Sequence, residues 1–539
     1  MGEINYKSLV IAKFSIIGWI VVSNVIDAQT YINLEPVIVL SAPPCTVLYS
    51  FGVGLAHGDL NGDGYSDLVI GQLALDYNRI YIYFGGPSFD SIPDVVLIGE
   101  KYYEFGRPIA VGDVNGDGYD DVIAGGTGRC RVYFGGNPMD NVPDLVAHSP
   151  PNAAGFASYV AAGDVNGDGY DDFIVGAPNY PYPYTYGRVY IYFGGANPDT
   201  IPDVILNGEQ MINNAFGENL SSGYDVNADG YEDVFVAAPQ WFGYPGKAFI
   251  YFGGNPMDTI PDVVMTGTGP GDFFGQGGFA LLHDINGDGY DDAAVGEPLD
   301  RTKDTVYVYF GADTMDGIAD VILDAEDPPE YFGMSLASVE SLTPNHCSAL
   351  LVGAPEYQRE GGTRPLDGRL YLYLSDSFDV NYDALIEGAD SQSIGWRCSS
   401  AGDIDGDGID EFMVSNYAAN YHPTKVWVLR YTSEGVEEHT EPKYANLLRC
   451  YPNPFTESCE IGFRLRFRAH VKLCIYDVTG RLVTILVDGN MPSGRIKLRW
   501  CPKDSKRYHV VPGVYFCRLH VDGEKLQLYD SKKIVYMCR

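Results

Sequence analysis

Apolar residues along this chain come in short runs, each closed off by glycine, proline, asparagine or aspartate, and the runs recur in a fixed order. A Phe-Gly pair (Phe51-Gly52, Phe105-Gly106, Phe216-Gly217, Phe274-Gly275) opens a strand of small residues. A second, continuously apolar strand follows, such as Asp67 to Gly71 or Asp172 to Gly176. A third alternates aromatic and aliphatic residues before Gly-Gly, as in Arg79 to Phe84 and Arg188 to Phe193. A fourth lies behind a proline, as in Asp94 to Ile98, Asp203 to Leu206 and Asp262 to Met265. Four short strands bounded by turn formers, repeating about every 50 to 60 residues, predict an all-β chain built from propeller blades.

Between the first and second strands of a unit lies an acidic turn. Its side-chain oxygens occupy positions 1, 3, 5 and 9, and position 7 can offer only a backbone carbonyl. The copies are Asp59, Asn61, Asp63, Tyr65 and Asp67; Asp113, Asn115, Asp117, Tyr119 and Asp121; Asp164, Asn166, Asp168, Tyr170 and Asp172. Three more follow: Asp225, Asn227, Asp229, Tyr231 and Asp233; Asp284, Asn286, Asp288, Tyr290 and Asp292; and, altered, Asp403, Asp405, Asp407, Ile409 and Glu411. Converging hard oxygens are what Ca²⁺ takes, and an interior glycine permits the turn that gathers them. An EF-hand-like loop begins the same way but needs a carboxylate at position 12. Here that position is Ile70, Ala124, Val175, Val236, Val295 and Val414, so position 9 has to close the site. An Asx-rich turn that binds nothing is the other reading, and six copies of one oxygen pattern argue against it. The expectation is Ca²⁺ at up to six sites.

The turns start at 59, 113, 164, 225, 284 and 403, so the last interval is about twice the others. A unit is hidden there, opened by Tyr331-Phe332-Gly333 and followed by Val352-Gly353-Ala354-Pro355. Its turn positions are Ser341, Thr343, Asn345 and Ala349, which cannot hold a cation. That makes seven repeats. After the seventh unit's third strand (Lys425 to Tyr431) comes the charged linker Thr432 to Pro442, with no fourth strand. Leu34 to Leu40, ahead of the first unit, carries the fourth-strand pattern and is expected to complete blade seven. A linear solenoid would leave both ends uncapped.

Composition narrows the class further. The chain has 539 residues, 45% hydrophobic and 20% charged, with 64 glycines and 41 tyrosines, as suits a turn-rich β protein. Its net charge is −37. Lys443 to Arg539 holds 18 Lys and Arg against 8 Asp and Glu, a surplus of +10 that leaves −47 for the first 442 residues. Such a surface repels nucleic acid and anionic lipid. At the N-terminus, Lys7 and Lys13 precede an apolar run from Phe14 to Val22, with a plausible cut before Gln29. Residues 1–28 therefore read as an export signal, the run being short for a spanning helix, and no other segment could span a membrane. The ten cysteines give no clear disulfide framework and no zinc spacing; Cys45, Cys130, Cys347 and Cys398 read as structural thiols, while disulfides among the six cysteines of the tail stay open.

Units of Phe-Gly, D-x-N-G-D-G-x-x-D and Gly-Ala-Pro resemble FG-GAP repeats, the units of the integrin α-chain propeller and of many bacterial surface proteins. The resemblance covers roughly residues 34 to 431. It departs at Ala157, Ala228, Ile394-Gly395 and the sixth turn. The tail begins with Tyr451-Pro452-Asn453-Pro454-Phe455. It continues through Val471 to Asp477, Val478-Thr479-Gly480-Arg481, Gly494 to Trp500 and Pro512-Gly513-Val514-Tyr515-Phe516 to Lys532-Lys533-Ile534-Val535-Tyr536. Alternating strands in so short a stretch predict a small Ig-like β-sandwich. The motifs resemble the type A C-terminal sorting domain of the type IX secretion system, which implies contact with that machinery and passage across an outer membrane. The expected domains are a signal peptide at 1–28, a seven-bladed propeller at 29–432, a linker at 433–446 and a sorting domain at 447–539.

No catalytic set stands out. The nine histidines are scattered, and Glu209, Glu218, Glu297 and Glu356 form no recognisable group. In an antiparallel blade the acidic turns share one face with the third-to-fourth turns, while the second-to-third loops and inter-blade links share the other. Those loops are aromatic and carry Tyr182 and Tyr184; Trp241, Phe242 and Tyr244; and Tyr421. Tyrosine and tryptophan give rigid contact area with a polar tip, suited to a protein or glycan partner; the alternative is that they merely pack the loops down. The expected function is a surface adhesion or ligand-binding module, not an enzyme. A polysaccharide hydrolase or lyase and a structural surface-layer component are the rivals.

Overall fold

The computed structural model describes residues 16–17, 20–21, 33–42, 48–432 and 445–536. Excepted within the longer ranges are 75, 100–103, 127, 212, 240–244, 270–273, 299–303, 326–329, 357–366, 376–377, 389–392 and 417–423. Excepted in the last range are 452–454, 456–457, 466–468, 478–480, 492–493, 503–509, 511–512 and 524–525. The chain divides into two compact units, 1–24 with 32–433, and 25–31 with 434–539.

In the first unit the described strands form seven antiparallel sheets. The second sheet shows the plan: Ile109–Gly112, Asp121–Gly126, Arg129–Tyr133 and Leu145–His148, each paired with the one before it. The hidden sixth unit forms the same meander from Ser335–Val339, Ala349–Ala354, Arg369–Leu374 and Ala384–Gly388. In the seventh, Ile394–Gly402, Glu411–Asn416 and Lys425–Thr432 are joined by Asn33–Ser41 from the other end of the chain. Leu34 faces Tyr431 and Leu40 faces Val426. The register slips between Pro36 and Ile38, where a proline has no N–H to give. The first strand of each sheet touches the first strand of the next, and that of the seventh touches that of the first. An all-β chain of four-stranded sheets in this order fits a β-propeller.

The apolar run near the N-terminus supplies Ile16–Ile17 and Ile20–Val21, which pair with each other and, through Ile20 and Gly388, with the edge of the sixth sheet.

Core forms between sheets rather than within one. Second and third strands are buried almost throughout, as in Asp172–Gly176, while fourth strands alternate, as in Val263–Thr266. The cluster between the second and third sheets joins Ile123, Val132 and Cys130 to Phe156, Phe173, Val175 and Tyr190. The phenylalanine of each Phe-Gly pair is a recurring anchor. Phe105 packs edge-on against Tyr133, Phe156 against Tyr190 and Phe332 against Tyr371, at 6.4, 5.6 and 5.1 Å between ring centroids. Such pairs add about 0.5–1.5 kcal/mol beyond their buried area. The residue after this phenylalanine needs a left-handed backbone. Ala157, which breaks the motif in the third unit, adopts it at φ 61° and still donates its N–H to the carbonyl of Gly176 at 2.9 Å.

In the second unit a three-stranded sheet (Ala445–Tyr451, Cys459–Leu465, Gly494–Trp500) and a four-stranded sheet (Leu482–Met491, Ala469–Asp477, Gly513–Gly523, Leu526–Tyr536) enclose one core. Its centre holds Phe455, Phe463, Leu473, Ile475, Trp500, Tyr515 and Leu519. Cys130, Cys347, Cys398, Cys459, Cys474, Cys501 and Cys517 are free thiols; Cys45 lies outside the described residues.

Candidate metal centres

Each acidic turn is wound around its own first aspartate. In the first turn, one oxygen of Asp59 accepts the N–H groups of Gly62 at 2.8 Å and Asp63 at 3.1 Å, and the other accepts that of Gly64 at 2.9 Å. Asn61 Oδ1 accepts the N–H of Asp63 at 2.9 Å, and Asp63 Oδ1 accepts that of Tyr65 at 3.1 Å. The same bonds recur around Asp113, Asp284 and Asp403. These bonds pull positions 1, 3 and 5 into one small volume, because short side chains that bond nearby backbone favour tight turns.

Position 9 is different in kind. Asp67, Asp121, Asp172, Asp233 and Asp292 are fully buried, and Glu411 nearly so. In the five aspartate copies this carboxylate ties the turn to the third strand's end. Asp67 accepts Leu60 N–H at 2.9 Å with one oxygen and Gly85 N–H at 2.8 Å with the other. Asp121 does the same for Val114 and Gly135, and Asp292 for Ile285 and Gly311. Burial, reinforced by the like charges at positions 1 and 5 and opposed by the two backbone bonds, pushes Asp67 and Asp292 up to about 7. It pushes Asp121, Asp172, Asp233 and Glu411 up to about 8. Three carboxylates crowded together hold protons unless a cation replaces them.

The donor set fits a hard divalent ion. In the seventh unit Asp403, Asp405 and Glu411 bring one oxygen each within 4.8 Å of one another. Glu411 Oε1 and Asn166 Oδ1, at positions 9 and 3 of their turns, are buried with no hydrogen-bond partner among the described residues. An ion at these positions would satisfy such oxygens, which are costly to leave bare. The sixth turn has no carboxylate: Ser341 Oγ bonds His346 Nδ1 at 2.7 Å, and Thr343 Oγ1 accepts the N–H of Cys347 at 3.3 Å.

Two further roles become visible only when neighbouring units are placed together. Position 8, which no metal reading uses, reaches into the preceding turn. Asp120 accepts the N–H of Asp59 at 2.8 Å and returns its own N–H to the Asp59 carbonyl at 3.0 Å. Asp171 does so with Asp113, Glu232 with Asp164, Asp291 with Asp225 and Asp410 with Ser341. The links from the first and sixth turns are single: Ser66 N–H to the Asp403 carbonyl at 3.0 Å, and Ser348 Oγ to the Asp284 carbonyl at 3.3 Å. The position-7 tyrosine is the other case. A Cβ on Gly62, Gly116, Gly167 or Gly406 would strike the ring of Tyr119, Tyr170, Tyr231 or Tyr65 respectively, so each ring lies flush on the preceding turn. The sequence signal for both was present as an acidic residue at position 8 and a tyrosine at position 7 in most copies.

On the opposite face, Tyr182 and Tyr184 are 69% and 51% exposed. Tyr184 stacks on Tyr186 at 5.8 Å, and Arg188 lies over Tyr180 at 3.8 Å, so part of this loop's aromatic content does pack the loop. Trp241, Phe242, Tyr244 and Tyr421 lie outside the described residues.

A family model described as FG-GAP repeat matches residues 156–192 and 216–251, and one described as FG-GAP-like repeat matches 59–124. Among curated proteins, the chain is similar to integrin alpha-5 of Xenopus laevis, 33% identical over 214 residues, or 37% of this chain and 20% of the relative. It is similar to integrin alpha-8 of Gallus gallus, 33% identical over 234 residues, 39% of this chain and 22% of the relative. It is also similar to phosphatidylinositol-glycan-specific phospholipase D of Homo sapiens, 29% identical over 248 residues, 39% of this chain and 28% of the relative. The chain thus spans well under a third of the length of these relatives. No helix among the described residues is long and apolar enough to cross a membrane.

Proposed function

We propose that the chain is an exported, calcium-stabilised propeller of seven blades whose role is to bind a surface partner. On this reading residues 1–28 are an export signal, 29–432 are the propeller, and Asn33–Ser41 closes its last blade. Residues 447–539 are an Ig-like sorting domain that engages type IX secretion. Ca²⁺ occupies up to six turns and spares the sixth unit. The metal is structural, since four side-chain oxygens and a carbonyl leave little room for a substrate. The partner, a protein or glycan, is met on the face of the second-to-third loops, with Tyr182, Tyr184, Trp241, Phe242, Tyr244 and Tyr421 as contact candidates. Similarity to integrin α chains supports adhesion or ligand binding.

One observation carries the calcium reading: a buried carboxylate at position 9 in each of the six turns, surrounded by like charge. Its test is thermal. Replacing Asp113 and Asp117 with Ala is expected to lower the melting temperature in calcium buffer, by the equivalent of about 1–3 kcal/mol. Equal melting of variant and parent removes the structural role from that turn. The binding reading is tested by pulldown and glycan array with and without chelator, where calcium-loaded protein that retains no partner counts against it.

The phospholipase relative names an enzyme, and hydrolysis is therefore the rival reading. Its discriminating assay is release of product from polysaccharide and phospholipid substrates by the purified chain.

A further inference from the structure

The first strands of the seven sheets surround a cavity of about 550 Å³, lined mostly by residues in or just before those strands. Its place follows from register. In the third sheet Tyr159 faces Gly176, where the second-to-third loop departs, whereas Gly163 at the strand's other end faces Asp172 of the acidic turn. The cavity therefore opens on the aromatic-loop face, away from the candidate metal centres.

Its lining is unlike the rest of this unit's surface. The surrounding chain is strongly acidic, yet the cavity holds two guanidiniums, Arg107 and Arg397, against one carboxylate, Glu218. Arg397 has no ion-pair or hydrogen-bond partner among the described residues, and its charge is opposed by burial and by Arg107. Arg107 is half-exposed, and its one ion pair among the described residues is a loose contact to Glu104 at 3.5 Å. Two neighbouring guanidiniums, one of them partly buried and without a partner among the described residues, are an incomplete arrangement: partly desolvated charge is costly until an anion meets it. Arginine's planar fork meets carboxylate oxygens two at a time. The remaining lining suits a hydroxylated ring rather than a bare anion. Trp396 and Tyr159 supply aromatic surface. Gln276 and Glu218 supply polar groups, and Gln276 Oε1 has no hydrogen-bond partner among the described residues.

We propose that this cavity is a binding site for the carboxylate of an acidic sugar, a uronate unit of a glycan, held by Arg397 and Arg107 with Trp396, Tyr159, Gln276 and Glu218 around its ring. This rests on the partner-binding reading and gives that partner a chemical class. An acidic peptide is the less suited occupant, because a glutamate or aspartate side chain brings no hydroxylated ring for Trp396, Tyr159 and Gln276 to meet.

The test is titration calorimetry on the full calcium-loaded chain with tetragalacturonate, its methyl ester, and a peptide bearing one glutamate. The free-acid sugar is expected to bind, its ester to bind at least 10-fold more weakly, and the peptide to bind no better than the ester. Arg397→Gln is expected to weaken the sugar at least 10-fold and Arg107→Gln about 3-fold. The Arg107 side chain is exposed, so that variant remains informative if the Arg397 variant does not fold. Equal binding of acid and ester, undiminished binding by both variants, preference for the peptide, or no binding of the sugar each overturns the proposal. A pulldown that still retains a partner when the sugar fails leaves the adhesion reading standing. Sugar binding without any retained surface partner does the reverse.

Discussion

Single residues of the acidic turns carry opposing demands. A position-9 carboxylate must be ionised to hold a cation, yet burial raises its pKa above that of an unfolded aspartate. Without metal, that raised value makes stability greatest at low pH and lost as pH climbs through about 7 to 8. With metal, the cation displaces the proton and the penalty vanishes. The expected outcome is that protein in chelator melts higher at pH 5.5 than at pH 8.5, and that added Ca²⁺ raises melting more at pH 8.5. Scanning calorimetry at both values checks it; a calcium shift of equal size at both would show that proton and ion do not compete. At Gly116 two constraints coincide, a φ of 70° and the Tyr170 ring against its Cα. Gly116→Ala should cost about 1–3 kcal/mol in calcium buffer, read from the melting temperature.

At the level of elements, the order of strands was readable because each strand carries its own local pattern, and the period exposed even a sixth unit whose turn had lost its acids. Contacts between units were not readable in the same way. Asp171 and Tyr170 look like two more polar residues in their own turn. Their partners, Asp113 and Gly116, lie in another repeat, and a motif read within one repeat cannot show that. Arg397 and Arg107 were missed for the same reason, being one per repeat in positions that no motif marks. The strand Asn33–Ser41 offers the element-scale test. It covers the outer edge of Lys425–Thr432, and an uncovered edge is a template for pairing with another chain. Deleting residues 33–41 should therefore turn a monodisperse protein into aggregates on size-exclusion chromatography. A monomer with unchanged melting would mean that closure by this strand contributes nothing.

Across the whole first unit, the links between turns run from each to the next, from Ser66 to Asp403 at one join and from Asp410 to Ser341 at another. On the proposed calcium reading, a cation in one of the six acidic turns would stiffen a residue that its neighbour also holds, and the acidic excess of this region would serve metal binding. The most direct measurement is the calcium stoichiometry of the purified chain by calorimetric titration of chelator-stripped protein, with melting followed at each step. Up to six ions per chain are expected, with a melting temperature that rises as they fill and one ion fewer in the Asp113→Ala, Asp117→Ala variant. A stripped protein that takes up no calcium, or fills its sites without any change in melting, would contradict that expectation.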